Sequence, residues 1–66
     1  MARIYFNLDS TALRGASYDD ETQTLDVDFR NGQSYTFEGV PSEVALGLRD
    51  APSPGSYFHK NIKGVY

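Results

Sequence analysis

The chain has no cysteine and no tryptophan, a single histidine and a single methionine. Without cysteine there is no disulfide to staple the fold and no thiolate to hold a metal. A reducing compartment is compatible with that composition. With one imidazole, His59, a nucleophile–base–carboxylate set has only one place to form. Ser53 and Ser56 are near it in sequence, but neither stands in the Gly-x-Ser-x-Gly elbow that presents a nucleophile. No Walker or dinucleotide glycine pattern occurs. No convergent catalytic set is left, so a non-enzyme without cofactor or metal is expected. No run approaches the ~20 apolar residues of a membrane span. The start, Met1-Ala2-Arg3-Ile4-Tyr5, lacks the apolar stretch of a signal peptide. The expectation is a cytoplasmic protein with no membrane partner.

Sixty-six residues make one domain. A chain of that size buries only ~60% of its unfolded surface, and small domains often need staples or partner subunits. Five tyrosines and four phenylalanines must supply much of the core, since each aromatic side chain buries ~150–250 Å². The net charge of −3 argues against tight, non-specific binding of long nucleic acid. The charge is unevenly placed. Asp19, Asp20, Glu21, Asp26 and Asp28 form an acidic block, whereas His59, Lys60 and Lys63 follow Asp50 with no acid among them. A small anionic ligand is therefore possible at the C-terminal end.

The clearest pattern runs from Leu25 to Phe37. Leu25, Val27 and Phe29 alternate with Asp26 and Asp28, and after Asn31-Gly32, Tyr35 and Phe37 alternate with Thr36. Alternation on both sides of an Asn-Gly step predicts a β-hairpin. Asp26 and Asp28 share a face and read as the wet side of the sheet rather than a metal or acid–base pair. Arg3 to Leu8 also alternates, with Ile4, Phe6 and Leu8 on one face, and predicts a strand. Two places are open to it, the edge of the sheet or a second subunit, since exposed edges invite pairing. Asp9 to Thr11 reads as a turn. Thr11 to Tyr18 is a weaker strand in which Gly15 marks a bulge that shifts the alternation by one residue. Asp19 to Thr22 lacks the ligand spacing of a calcium loop and reads as a solvated turn.

Pro41 ends the sheet. Ser42 is the expected N-cap of a short amphipathic helix to Asp50, with Glu43 in its first turn and Val44, Leu48 and Ala51 at helical spacing. Gly47 weakens that helix by ~1 kcal/mol relative to Ala, which suggests a close approach to a neighbouring backbone. Pro52-Ser53-Pro54-Gly55-Ser56 breaks the chain. Phe58, Ile62 and Val65 or Tyr66 then predict a helix of about two turns that closes over the sheet. The predicted core is Leu13, Leu25, Val27, Phe29, Tyr35, Phe37, Val40, Val44, Leu48, Phe58 and Ile62. The fold class is α+β: a small antiparallel sheet of three to four strands followed by two short helices packed on one face.

The order Tyr18-Asp19, Leu25, Val27, Phe29, Gly32, Tyr35, Val40-Pro41, Leu48, Ala51, Ser53, Gly55, Tyr57-Phe58, Ile62 and Tyr66 resembles the KTSC domain. That short module stands at the C-terminus of some lysyl-tRNA synthetases and alone in small bacterial and phage proteins. The resemblance covers residues 10–66, leaving the strand within residues 1–9 outside it. The family carries a central Tyr-x-Tyr, which here is Tyr35-Thr36-Phe37, so the second hydroxyl is missing. The resemblance implies a small non-catalytic binding module, for which RNA binding has been proposed.

The candidate ligand site is the stretch from Ser53 to Lys63. A glycine-containing loop before a helix offers amides to phosphate or carboxylate, here Ser53, Gly55 and Ser56, with Lys60 and Lys63 as cations. Tyr57 is placed to stack on a base, His59 to touch a ligand. The bland alternative is that Ser56 caps the helix and Gly55 makes the turn. Tyr35 and Arg49 complete the candidate set. The first functional expectation is a binding module for a nucleotide-class anion: a small nucleotide, sequestered as some phage anti-defence proteins sequester bacterial signals, or a short RNA element. The alternative is a protein–protein or self-association module, with a homo-oligomer through Ile4, Tyr5 and Phe6.

Overall fold

Alternation and turn chemistry together produce a β-meander capped by two helices. The structure, a computed structural model, describes residues 3–8 and 10–66. Met1, Ala2 and Asp9, the last assigned above to a turn, lie outside the described residues. Strands β1 (Arg3–Asn7), β2 (Leu13–Asp19), β3 (Thr24–Phe29) and β4 (Ser34–Phe37) form one antiparallel sheet in chain order, followed by α1 (Ser42–Asp50) and α2 (Pro54–Asn61). This is the expected α+β class.

The hairpin pairs Leu25 with Phe37 and Val27 with Tyr35. The Phe29 amide donates to the Gln33 carbonyl at 2.8 Å and the Gly32 amide to the Phe29 carbonyl at 3.1 Å. Asn31 Oδ1 accepts from the Gln33 amide at 3.0 Å, the side-chain mimic of a turn that Asn favours. Within this loop only Gly32 has a left-handed φ, +91°. The loop is therefore the three-residue type with glycine at its bulge position.

In β2, Leu13 faces Phe29 and Gly15 faces Asp28, so one extra residue, Arg14, is accommodated as the expected bulge. The slip places Leu13, Ala16 and Tyr18 on one buried face. A Cβ on Gly15 would stand 2.9 Å from the Phe6 carbonyl oxygen, which fixes glycine there. β1 takes the sheet edge, paired with β2 alone among the described residues.

Both helices cover one face of the sheet. Leu25, Val27, Val40, Ala45, Leu48 and Ile62 are wholly buried, with Leu8, Leu13, Ala16, Tyr18 and Phe58 nearly so. Several expectations are corrected here. Tyr35 is 47% exposed because β4 is an edge strand, and Phe29, Phe37 and Val44 are only half-buried. Leu8, Ala16, Tyr18 and Ala45 take core places that were not foreseen. Pro41, not Ser42, caps α1: its backbone is extended (φ −64°, ψ 151°) and its carbonyl accepts from the Val44 and Ala45 amides. Ala51 is already extended and ends the helix. Ser53, not Ser56, caps α2, and Pro54 occupies its first turn, where a missing N–H costs nothing. Gly55 and Ser56 thus lie inside the helix rather than in a loop. The second helix stops at Asn61. Gly64, at φ +83°, turns the chain away, leaving Val65 61% and Tyr66 40% exposed instead of packed on the sheet.

Candidate functional site

Alternation places Phe29, Tyr35 and Phe37 on the helix-facing side of the sheet, and α2 lays Phe58 among them. The Phe58 ring meets Phe29 edge-on at 5.4 Å and Phe37 at 5.6 Å, while Phe29 meets Tyr35 at 5.2 Å. The helices leave the β4 edge partly uncovered, so these rings form the wall of an open cleft of about 400 Å³. Asn31 and Gln33 of the hairpin loop line one side, and His59 and Lys63 the other. Tyr35 Oη donates to Gln33 Oε1 at 3.0 Å, which ties the loop amide to the wall. His59 lies edge-on to Phe58 at 5.8 Å.

Of the residues expected at a site, Tyr35, His59 and Lys63 are brought together here. The others are not. Ser53 and Ser56 are exposed at the opposite end of α2. Gly55 sits beside Ser10, whose Oγ is 3.6 Å from where a Cβ would stand. Lys60 is exposed and does not line the cleft. Arg49 bonds its neighbour Asp50 through Nε at 3.0 Å and Nη2 at 3.2 Å. That contact raises the guanidinium pKa and lowers the Asp50 carboxyl. Tyr57 is not free to stack on a ligand: its ring lies on Gly47 and its hydroxyl donates to the Val44 carbonyl at 2.9 Å. Gly47 therefore admits a side chain, not the neighbouring backbone expected above.

The placement changes the electrostatics. Pro54 has no N–H and the Tyr57 amide bonds the Ser53 carbonyl, so the start of α2 offers an anion only the Gly55 and Ser56 amides, which no side chain caps and which lie at the end of the helix away from the cleft. The cleft opens beside the C-terminal half of α2, where the helix dipole is negative and favours cations. Positive charge at the cleft comes from side chains, not from helix amides. Sequence patterning places Phe29, Phe37 and Phe58 wholly in the core and Asn31 in a turn. The usable signal was the three-residue gap between Asn31 and Tyr35, which forces the loop beside an exposed edge ring.

The opposite face of the sheet is polar and satisfied. Arg3 Nη1 donates to Ser17 Oγ at 2.9 Å and to Asp26 Oδ2 at 2.8 Å, and Thr36 Oγ1 donates to Asp26 Oδ1 at 2.5 Å. These bonds, from Thr36 first and Arg3 second, hold the Asp26 carboxyl below the usual aspartate range. Ser34 Oγ donates to Asp28 at 2.8 Å. Among the described residues no three histidine, aspartate or glutamate side chains converge as metal ligands. No described helix is long and apolar enough to cross a membrane.

The sequence model of the KTSC domain matches residues 9–66. The chain belongs to the KTSC family. A relative from Stutzerimonas stutzeri, of unassigned role, is 43% identical over 56 residues, 85% of this chain and 79% of that one. Lysine–tRNA ligases of Nostoc punctiforme and Trichormus variabilis match at 38% over 58 residues and 47% over 49 residues. The match covers 88% and 74% of this chain, but only 10% and 9% of the ligases. The KTSC unit is thus a small module within those enzymes. The crystal structure of a KTSC domain protein from Yersinia pestis superposes with a TM-score of 0.89 at 28% identity, covering 97% of this chain and 90% of that one.

Proposed function

We propose that this KTSC domain is a non-catalytic cytoplasmic binding module for a nucleotide-class anion, held in the cleft between β4 and α2. The observation that carries the reading is the joining of an aromatic wall (Phe29, Tyr35, Phe37, Phe58) with Lys63 and His59 at one opening. Stacking of a base on such rings contributes about 1–3 kcal/mol. The side-chain amides of Asn31 and Gln33 both donate and accept, which suits the edge of a nucleobase. Lys63 faces the phosphate. The volume of about 400 Å³ falls in the range of small-molecule sites. The net charge of −3 favours a ligand of few phosphates over a long backbone. A small free nucleotide is therefore the preferred ligand, and binding alone, by sequestration, the preferred action. Kinship with part of two lysine–tRNA ligases keeps a short RNA element as the second ligand to test.

The test is titration calorimetry of the full chain against cyclic and linear mono- and dinucleotides and tRNA. Saturable heat from a nucleotide, with affinity weakened in Tyr35→Ala and in Lys63→Ala while both variants stay folded, supports the reading. No heat from any of them ends it. Nucleotide turnover abolished by His59→Ala replaces it with an enzyme.

A further inference from the structure

At the sheet edge away from the cleft, β1 leaves half of its backbone without a partner among the described residues. The Leu8 amide donates to the Arg14 carbonyl at 3.1 Å, across β1 and β2. In an antiparallel ladder successive residues point their N–H and C=O to opposite sides. Ile4 and Phe6 therefore bond inward to β2, and Arg3, Tyr5 and Asn7 turn their backbone groups outward. Natural edges are usually guarded by proline, lysine, inward charges or a bulge. Residues 3–7 contain no proline, lysine or acid, and their pairing with β2 is regular. The only charge, Arg3, is drawn over the sheet to Ser17 and Asp26 and does not guard the edge. Two large side chains stand open on it, Tyr5 at 77% and Ile4 at 41%.

We infer that β1 pairs antiparallel with β1 of a second copy, about a two-fold axis through Tyr5, to give a continuous eight-stranded sheet. This register uses every outward group: Tyr5 bonds Tyr5 of the partner subunit, and Arg3 bonds Asn7 of the partner subunit, each pair through two N–H···O bonds. The helix-facing side chains meet in apolar pairs, Ile4 against Phe6 of the partner subunit. No like charges face one another. The strand is its own complement, which selects a second copy over an unrelated strand and closes the assembly as a dimer. The dimer leaves both clefts open at the two far edges, so it stands or falls independently of the ligand proposed above.

A five-residue strand makes an interface at the small end, and the dissociation constant is expected between about 1 μM and 1 mM. Sedimentation of the full chain across that range, with amide hydrogen exchange by NMR at each concentration, tests the pairing. Expected are a monomer–dimer equilibrium and amides of Tyr5 and Asn7 that become protected as dimer forms. Those of Ile4 and Phe6 are protected throughout. Tyr5→Lys, at an exposed position, sets two ammonium groups beside the axis and shifts the chain to monomer while the far-UV circular dichroism is retained. A monomer at every concentration, a dimer undiminished in Tyr5→Lys, or a dimer with freely exchanging Tyr5 and Asn7 amides overturns the inference.

Discussion

Gly47 and Tyr57 fill one another's space. The Tyr57 ring lies where a side chain on residue 47 would stand, with Cζ 2.8 Å from the position of a Cβ. Its hydroxyl reaches past Gly47 to the Val44 carbonyl one turn earlier. The glycine weakens α1 by itself, and the ring it admits fastens α2 to α1. Gly47→Ala is therefore expected to destabilise the protein by about 1–3 kcal/mol through overpacking, although alanine is the better helix former by ~1 kcal/mol. In a Tyr57→Ala background the same substitution should change sign and stabilise by about 1 kcal/mol. Urea denaturation of the four proteins of the cycle measures this; additive effects would show that the ring and the glycine are not coupled.

Tyr18 is a buried phenol with one bond, Oη to the Val40 carbonyl at 2.6 Å. That bond ties the sheet to the segment leading into α1. Tyr18→Phe leaves the Val40 carbonyl without its donor and should cost about 1–3 kcal/mol. Burial, with Asp20 and Asp19 adding to it, raises the phenol pKa above its ordinary 10.0. Above pH 10.0 the unfolded chain loses a proton that the folded one keeps, so stability falls as pH rises through the folded value. Denaturation midpoints measured from pH 8 upward should show this alkaline decline in the parent and a shallower one in Tyr18→Phe.

Much of the sheet could be read before the structure because its cues are local. The alternation around Asn31-Gly32 gives the hairpin, and Gly15 marks the bulge that brings Leu13 and Tyr18 to one face. The errors fall where neighbours or topology override local preference. Ser42 and Ser56 are good capping residues, but Pro41 and Ser53 hold the extended backbone that a cap requires. Tyr35 alternates like a core residue yet sits on an edge strand that the helices leave partly open. The cleft joins a hairpin loop at Asn31 to Lys63, beyond the end of α2. No spacing rule reports that proximity, because it depends on how α2 crosses the sheet.

Asp26 gives the acid limb of stability. Its carboxylate accepts from Thr36 and Arg3, which lowers its pKa from the ordinary 3.8. Below 3.8 the unfolded state takes up a proton that the folded state still refuses. The contribution is present above that value and is lost as pH falls through the lower folded one. Asp26→Asn should flatten this limb between pH 5 and the acid end. At neutral pH it should cost about 1 kcal/mol, since the Arg3–Asp26 pair is partly solvent-screened. Thermal melts of parent and variant across that pH range provide the measurement, and parallel curves would exclude Asp26 as the group responsible.

Lys60 and Lys63 are three residues apart, and composition alone makes them equivalent. The structure separates them: Lys63 lines the cleft beside Phe58 and His59, and Lys60 does not. Both side chains are exposed and neither supports the core, so each alanine variant should melt within about 0.5 kcal/mol of the parent. Binding should part them. For whichever nucleotide gives the largest heat, Lys63→Ala is expected to weaken affinity by about tenfold, the loss of one partly solvated charge–phosphate contact. Lys60→Ala should leave the affinity within about twofold, because Lys60 does not line the cleft and its exposed charge is screened by salt. Raising the salt concentration should weaken the parent more than Lys63→Ala, since only the parent keeps the contact that salt screens. Equal losses in the two variants would place the anion along the outer face of α2 and not in the cleft.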